Sequence, residues 1–121
     1  MSAVFWPLIA ATGGAGALAR FTVDQHVTRR AGGALPLGTL AVNCSGALLL
    51  GLITGAGVSG DAALVAGAGA IGSYTTFSTW MYETHRLAEE GQAVAASLNL
   101  VISLAAGLAF AGAGWAVGSL L

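Results

Sequence analysis

The side chains best suited to chemistry in this sequence are neutral hydrogen-bonding groups placed four residues apart. Thr39 and Asn43 have this spacing, and so do Asn99 and Ser103, so each pair lies on one face of a helix. Gly107 continues the second stripe. Such groups can form a polar track through an otherwise apolar protein. They can equally bond neighbouring helices to each other, and the spacing leaves both interpretations open.

A second chemical feature is the run Gly-Ser-Tyr-Thr-Thr-Phe-Ser-Thr-Trp at residues 72–80. Its residues have modest helix propensity and compete for backbone hydrogen bonds. A helix broken within this run would free main-chain carbonyls, which coordinate Na⁺ in the discontinuous helices of some transporters. The alternative is a continuous helix whose hydroxyls bond back to carbonyls one turn earlier.

Two aromatic residues close this run. Phe77 and Trp80 lie three residues apart and therefore share a helix face. The edge of an aromatic ring carries partial positive charge, so these rings can meet an anion where no lysine or arginine is present. Aromatic packing against a neighbouring helix is the alternative interpretation.

The composition indicates the setting in which these groups act. Of 121 residues, 56% are hydrophobic and 7% are charged, with four basic and five acidic residues. A soluble domain carries roughly 25% charged residues, so a water-soluble enzyme or binding module is disfavoured. High hydrophobicity argues against disorder, and a net charge of −1 gives no basic surface for nucleic acid. The sequence predicts a small integral membrane protein.

The positions of the charges divide the chain into four apolar runs. Charged residues cluster at 20–30, at 61 and at 83–90. Each run between them holds the ~20 mostly apolar residues that cross a hydrocarbon core. We therefore predict an all-α membrane protein with one domain, residues 1–121, whose third helix is broken near its middle. The transmembrane helices are predicted at about 3–22, 38–56, 62–86 and 93–119.

Glycines at four-residue spacing predict closely packed helices. Gly51 with Gly55, and Gly114 with Gly118, have the spacing that lets membrane helices approach through their backbones. The spacing does not say which helices face each other. Because four short helices enclose little space, we expect the chain to form oligomers.

The middle of each predicted helix lacks ionisable side chains, and this feature disfavours several activities. A proton-driven exporter or a rotary ring subunit would use a carboxylate within the membrane. Cys44 is a lone cysteine and the two histidines lie in connecting regions, so the spacing supports no zinc or haem site. We expect no enzyme activity.

The sequence resembles the small bacterial fluoride-channel family, called Fluc or CrcB. The matching stretches are Gly-Gly-Ala-Gly-Ala-Leu-Ala-Arg-Phe at 13–21, Gly-Thr-Leu-Ala-Val-Asn at 38–43, and residues 72–79, with a weaker match at Ser103 and Gly107. The resemblance implies a fluoride-selective channel that lowers cytosolic fluoride by passive export across the bacterial inner membrane. It also implies an antiparallel (inverted) dimer with two pores.

The resemblance implies roles for particular residues. A structural Na⁺ at the dimer centre would be held by the backbone carbonyls of Gly72 and Thr75, and Arg20 would lie near a pore vestibule. The fluoride pore would be lined by Asn43, Thr39, Phe77, Trp80, Ser103 and Asn99. Two residues depart from the family pattern, since Trp80 replaces a phenylalanine and Asn99 stands where a tyrosine is common.

The arginines raise a question about orientation. All four lie within 20–30 and 83–90, which fall on the same side of a four-helix chain. The positive-inside rule then favours one fixed orientation, as in family members that pair two different subunits of opposite orientation. A homodimer and a paired heterodimer are both open. The alternative function is a non-conducting structural or assembly subunit of a membrane complex.

Overall fold

The computed structural model describes residues 2–121, and within that range the chain is all-helical, with no strand. In chain order the helices are α1 (Phe5–Ala31), α2 (Leu37–Gly55), α3 (Gly60–Ala63), a π-helix named π1 (Leu64–Ile71), α4 (Gly72–Tyr74), α5 (Phe77–Glu89) and α6 (Ala93–Gly118). Because α3, π1 and α4 follow one another without a gap, they form with α5 the third of four helical segments.

The first helix is longer than the sequence pattern predicts. It continues to Ala31 rather than ending near residue 22, so Asp24, Arg29 and Arg30 lie on a helix and not on a connection. Arg29 and Arg30 occupy its last turn, where positive charge interacts favourably with the helix dipole. The helix ends at Gly32, whose φ of 63° favours glycine. The end of the charge-free run therefore does not mark the end of the helix.

Within residues 2–121, two helices, α2 and α6, are long and apolar enough by length and composition to cross a membrane. The other two predicted spans do not meet that criterion. One contains Arg20, and the other is divided into shorter helices. Along α6, large apolar side chains such as Val101, Leu104 and Leu108 are exposed, which is typical of a lipid-facing surface and rare on a soluble monomer.

Helices α2 and α6 pack backbone against backbone. A Cβ atom added at Gly51 would overlap the Ala111 carbonyl, and one added at Gly114 would overlap the Leu48 carbonyl. The overlap of Gly55 with Trp115 has the same form. The two glycine motifs of the sequence therefore face each other, which is the close approach that membrane helices use in place of hydrophobic burial.

The third segment is interrupted at two residues. Thr75 has φ −81° and ψ 159°, and Thr76 has φ −147° and ψ 118°, so both are extended between α4 and α5. Thr76 is the N-cap of α5, and its hydroxyl accepts a hydrogen bond from the Thr79 amide at 3.2 Å. A residue that caps a helix in this way has left helical geometry itself.

Candidate functional site: an interrupted helix and its polar lining

The extended residue Thr76 is held by the side chain of Asn43 on α2. Asn43 Oδ1 accepts from the Thr76 amide at 2.8 Å, and Asn43 Nδ2 donates to the Thr76 carbonyl at 2.9 Å. The carboxamide thus pairs with both backbone groups of one residue, as a neighbouring strand would. Irregular backbone at membrane depth requires such partners. Because Nδ2 carries two hydrogens, the second one can serve another acceptor.

Two backbone amides at the interruption donate to side chains. In a continuous helix they would donate to backbone carbonyls. In an α-helix the Thr76 amide would bond the Gly72 carbonyl, and the Thr79 amide would bond the Thr75 carbonyl. The Thr76 amide donates to Asn43, and the Thr79 amide donates to the Thr76 hydroxyl. The carbonyls of Gly72 and Thr75 can therefore accept from or coordinate another partner.

A surface pocket of ≈330 Å³ lies on one side of the interruption. Phe77 is 70% exposed beside it, and its ring meets the Trp80 ring edge-to-face, with centroids 5.7 Å apart and planes at 87°. The lining residues are Asn43, Gly46, Ala47, Leu50, Gly67, Ile71, Gly72, Thr75, Thr76, Phe77 and Trp80. The pocket combines an amide, hydroxyls, aromatic edges and backbone, all of them neutral.

A second pocket of ≈390 Å³ shares Thr76 with the first and is lined by charged groups as well as neutral ones. Arg20, Asp24, Thr39 and Thr79 line it together with Thr76, which lines both pockets. Thr39 is 3% exposed, and its hydroxyl donates to the carboxylate of Glu83 on α5. The structure thus brings Arg20 and Thr39 to one pocket and Asn43, Phe77 and Trp80 to the other, with one residue between.

Asn99 and Ser103 lie elsewhere within this chain. They border a gap of ≈10 Å³ against the start of α2, which is about the size of one water molecule. Asn99 is 5% exposed, and its Nδ2 donates to the Thr84 hydroxyl at 2.8 Å. The Trp80 indole N–H donates to the Asn99 carbonyl at 3.1 Å. The pore role of Ser103 stays a prediction.

Two residues of this region, Thr76 and Glu83, have roles that were not predicted from the sequence. Thr76 is both the clamped residue and the cap, and the sequence signal for it is a threonine three residues before Thr79, the spacing of an N-cap. Glu83 lies four residues after Thr79, which places both on one helix face. Its burial against Thr39 depends on how α2 meets α5, which local spacing does not reveal.

A cation at this site would be bound by neutral oxygens. Among residues 2–121 there is no group of three or more His, Cys, Asp or Glu side chains that could hold a metal ion. The carbonyls of Gly72 and Thr75 are of the oxygen type that hard cations bind. The donor set therefore fits Na⁺ better than a transition metal.

Comparison of the sequence with those of known proteins places the chain in a family. Residues 7–115 match the family model described as "CrcB-like protein, Camphor Resistance (CrcB)". The chain is 49% identical over 111 residues to fluoride-specific ion channel FluC 2 of Mycobacterium tuberculosis, covering 92% of this chain and 88% of that protein. It is 54% identical over 102 residues to FluC 2 of Mycolicibacterium paratuberculosis, covering 84% of each.

A relative from a different genus gives the same result. Fluoride-specific ion channel FluC 1 of Symbiobacterium thermophilum is 44% identical over 119 residues, which cover 93% of this chain and 96% of that protein. The names of these relatives describe ion channels and not enzymes. The match extends over nearly all of the chain, including α1, both sides of the interruption and α6. The chain belongs to the CrcB family, that of the fluoride-specific ion channels FluC.

Proposed function

We propose that this chain is the subunit of a fluoride-selective channel that lowers cytosolic fluoride by passive export across the cell membrane. The proposal depends on one observation, the pair of hydrogen bonds by which the Asn43 amide holds the extended backbone of Thr76. The helix is interrupted there, beside neutral hydrogen-bond donors. The activity in the names of the relatives supports the proposal. Fluoride is a small, hard anion that needs strong hydrogen bonds once dehydrated, and neutral donors supply them without trapping the ion.

The proposed path runs through the two pockets that share Thr76. Fluoride would enter past Arg20, whose positive charge attracts an anion, and would exchange water for the Thr79 hydroxyl. The Thr39 hydroxyl would line this pocket without donating to the ion, because its hydrogen is bonded to Glu83. It would then meet the second Nδ2 hydrogen of Asn43 and the ring edge of Phe77. Each partner is weaker than a fixed positive charge, so the ion can leave as well as enter.

The proposed working form is an antiparallel dimer with two pores. One chain leaves Phe77 70% exposed and Gly72 exposed on the surface that carries the first pocket. A second copy seated on this surface would convert an open pocket into an enclosed path. Each copy would contribute one interruption, which supports one path per subunit.

A structural Na⁺ at the centre of this dimer is part of the proposal. The carbonyls of Gly72 and Thr75 would hold it, because the amides that a helix would direct at them are bonded to Thr76 and Asn43 side chains. Two copies would supply twice as many oxygens as one. The ion would supply the positive charge that keeps these carbonyls, and so the two subunits, together.

Fluoride-loaded liposomes test the proposal. Purified protein is reconstituted with potassium fluoride inside, a potassium ionophore is added to prevent charge build-up, and released fluoride is followed with an electrode. We expect release far above that of protein-free liposomes. Absence of release, both for this chain alone and for this chain with an oppositely oriented partner subunit, would contradict the channel function.

A second candidate is favoured by the arginines. Arg20, Arg29 and Arg30 lie on the second half of α1, and Arg86 lies in the last turn of α5, so all four lie toward the same membrane surface in a four-span topology. This bias supports a chain of one fixed orientation that acts as one half of a heterodimer. Tags at both termini test it, and equal amounts of chain facing each side would contradict it.

A further inference from the structure

A closed cycle of three hydrogen bonds joins α5 to α6. The Trp80 indole N–H donates to the Asn99 carbonyl at 3.1 Å, and Asn99 Nδ2 donates to the Thr84 hydroxyl at 2.8 Å. That hydroxyl donates to the Trp80 carbonyl at 2.8 Å. The cycle uses the one hydrogen of the Thr84 hydroxyl. Asn99 is 5% exposed, while Trp80 and Thr84 are half-buried.

We propose that Asn99 and Thr84 are positioning residues that fix the Trp80 ring, so that Trp80 offers its ring, and not its indole N–H, to a passing anion. This inference rests on the proposed channel function. The resemblance implies that Asn99 lines the pore, whereas in this proposal neither Asn99 nor Thr84 would touch the ion. Their effect on conduction would pass entirely through Trp80.

The orientation of the Trp80 indole supports this proposal, because its N–H is directed at the Asn99 carbonyl. An indole N–H is a donor only, so the bond to Asn99 leaves no second hydrogen on that nitrogen for fluoride. The same bond orients the ring, which meets Phe77 edge-to-face at 87°. A ring fixed by packing and by a hydrogen bond keeps its geometry while an ion passes.

The second half of the cycle keeps the acceptor in place. The Asn99 carbonyl belongs to the backbone of α6, so it stays opposite the indole only while α5 and α6 keep their relative position. The bond from Asn99 Nδ2 to Thr84 ties the two helices together at this level. Loss of the Thr84 hydroxyl would leave the Asn99 amide without its partner and would free the ring to turn.

Fluorine NMR of the labelled Trp80 ring reports directly on its surroundings and mobility. The full chain is labelled with 5-fluorotryptophan in lipid nanodiscs, and the signals of Trp6, Trp80 and Trp115 are assigned by single Trp→Phe variants. We expect Thr84→Val to shift or broaden the Trp80 signal and to leave the Trp6 signal unchanged. Thr54→Val is the matched control, because the Thr54 hydroxyl also bonds a carbonyl one turn back, at 2.7 Å, but has no asparagine partner.

The rate of fluoride efflux from liposomes measures the effect of the Trp80 orientation on conduction. We expect Thr84→Val to slow release about threefold or more, the factor that corresponds to losing one hydrogen bond within a membrane protein. Thr84→Ser, which keeps the hydroxyl, should restore both release and the Trp80 signal. In a Trp80→Phe background, Thr84→Val should slow release no further, because no indole remains to be positioned.

The outcomes separate the two proposals. An unchanged Trp80 signal in Thr84→Val overturns the positioning role, and a changed signal with unchanged release overturns its link to conduction. If wild type releases no fluoride, the channel function falls, and the NMR signal still decides whether Thr84 and Asn99 hold the ring. If Thr84→Val does not fold, Asn99→Ala with Asn99→Gln as its rescue tests the same bond.

Discussion

A single amide, that of Asn43, shows what residue types reveal before a fold is known. Its spacing from Thr39 predicts a polar helix face, and Thr39 is indeed turned inward. The partner of Asn43 could not be predicted, because it is the backbone of Thr76, 33 residues away. A side chain that bonds distant backbone leaves no periodic trace in the sequence. The same reason hid the bond between Trp80 and Asn99.

Asn43→Asp is expected to reduce fluoride release at least about tenfold. The carboxylate cannot donate to the Thr76 carbonyl, and its charge repels an anion, which together remove more than ~1.4 kcal/mol of favourable interaction. The measurement is the initial rate of efflux from liposomes. Gln92→Glu makes the same amide-to-acid change at an exposed position before α6 and should leave the rate unchanged. Equal rates for the two variants would remove Asn43 from the path.

Phe77→Ile is expected to slow release by about tenfold as well. Isoleucine keeps an apolar side chain but loses the electropositive ring edge and the edge-to-face contact with Trp80. Phe110→Ile is the control, because Phe110 is an exposed aromatic residue on α6 that borders neither pocket. If both variants conduct like wild type, the exposed ring of Phe77 serves packing alone.

At the scale of elements, the helical segments follow from the apolar runs between the charge clusters, while their ends and pairings do not. The composition and the charge clusters predict an all-α chain with four segments, and this is confirmed. The length of α1 was predicted wrongly, because its last turns are polar yet remain helical through Ala31. The pairing of Gly51 and Gly55 with α6 could not be predicted. Small residues allow two helices to approach closely, but their spacing does not indicate which helix is the neighbour.

Gly51→Ala is expected to destabilise the fold by about 1–3 kcal/mol, because the new methyl group overlaps the Ala111 carbonyl and forces α2 from α6. The measurement is the midpoint of thermal unfolding in detergent. Gly112→Ala is the matched control on α6, where an added Cβ meets nothing within 4 Å. It should keep or raise the midpoint, since alanine favours a helix over glycine by roughly 0.5–1 kcal/mol. A similar loss for both variants would contradict the proposed packing.

At the scale of the whole molecule, one chain exposes the surface that a channel must enclose. Phe77 is 70% exposed beside neutral hydrogen-bonding groups, and both features fit a subunit whose path is completed by a second copy. The sequence alone predicts oligomers from the small size of the chain. It does not predict the interface, because an apolar surface in a membrane can face either lipid or another subunit.

Replacement of Na⁺ by the large organic cation N-methyl-D-glucamine is expected to weaken the dimer. The carbonyls of Gly72 and Thr75 would then repel those of the second copy without a cation between them. Dilution of the protein in liposomes, followed by single-molecule counting of subunits, measures dimer dissociation. Li⁺ and K⁺ serve as controls for ion size. Identical dissociation in every cation would contradict a central Na⁺.

The proposed channel conducts fluoride through neutral hydrogen-bond donors and rejects other anions. The measurement that tests it most directly is efflux of fluoride and of chloride from the same liposome preparation, each followed with its own electrode. We predict rapid release of fluoride and retention of chloride. Release of both anions would contradict the selectivity, and release of neither, with or without a partner subunit, would contradict the channel.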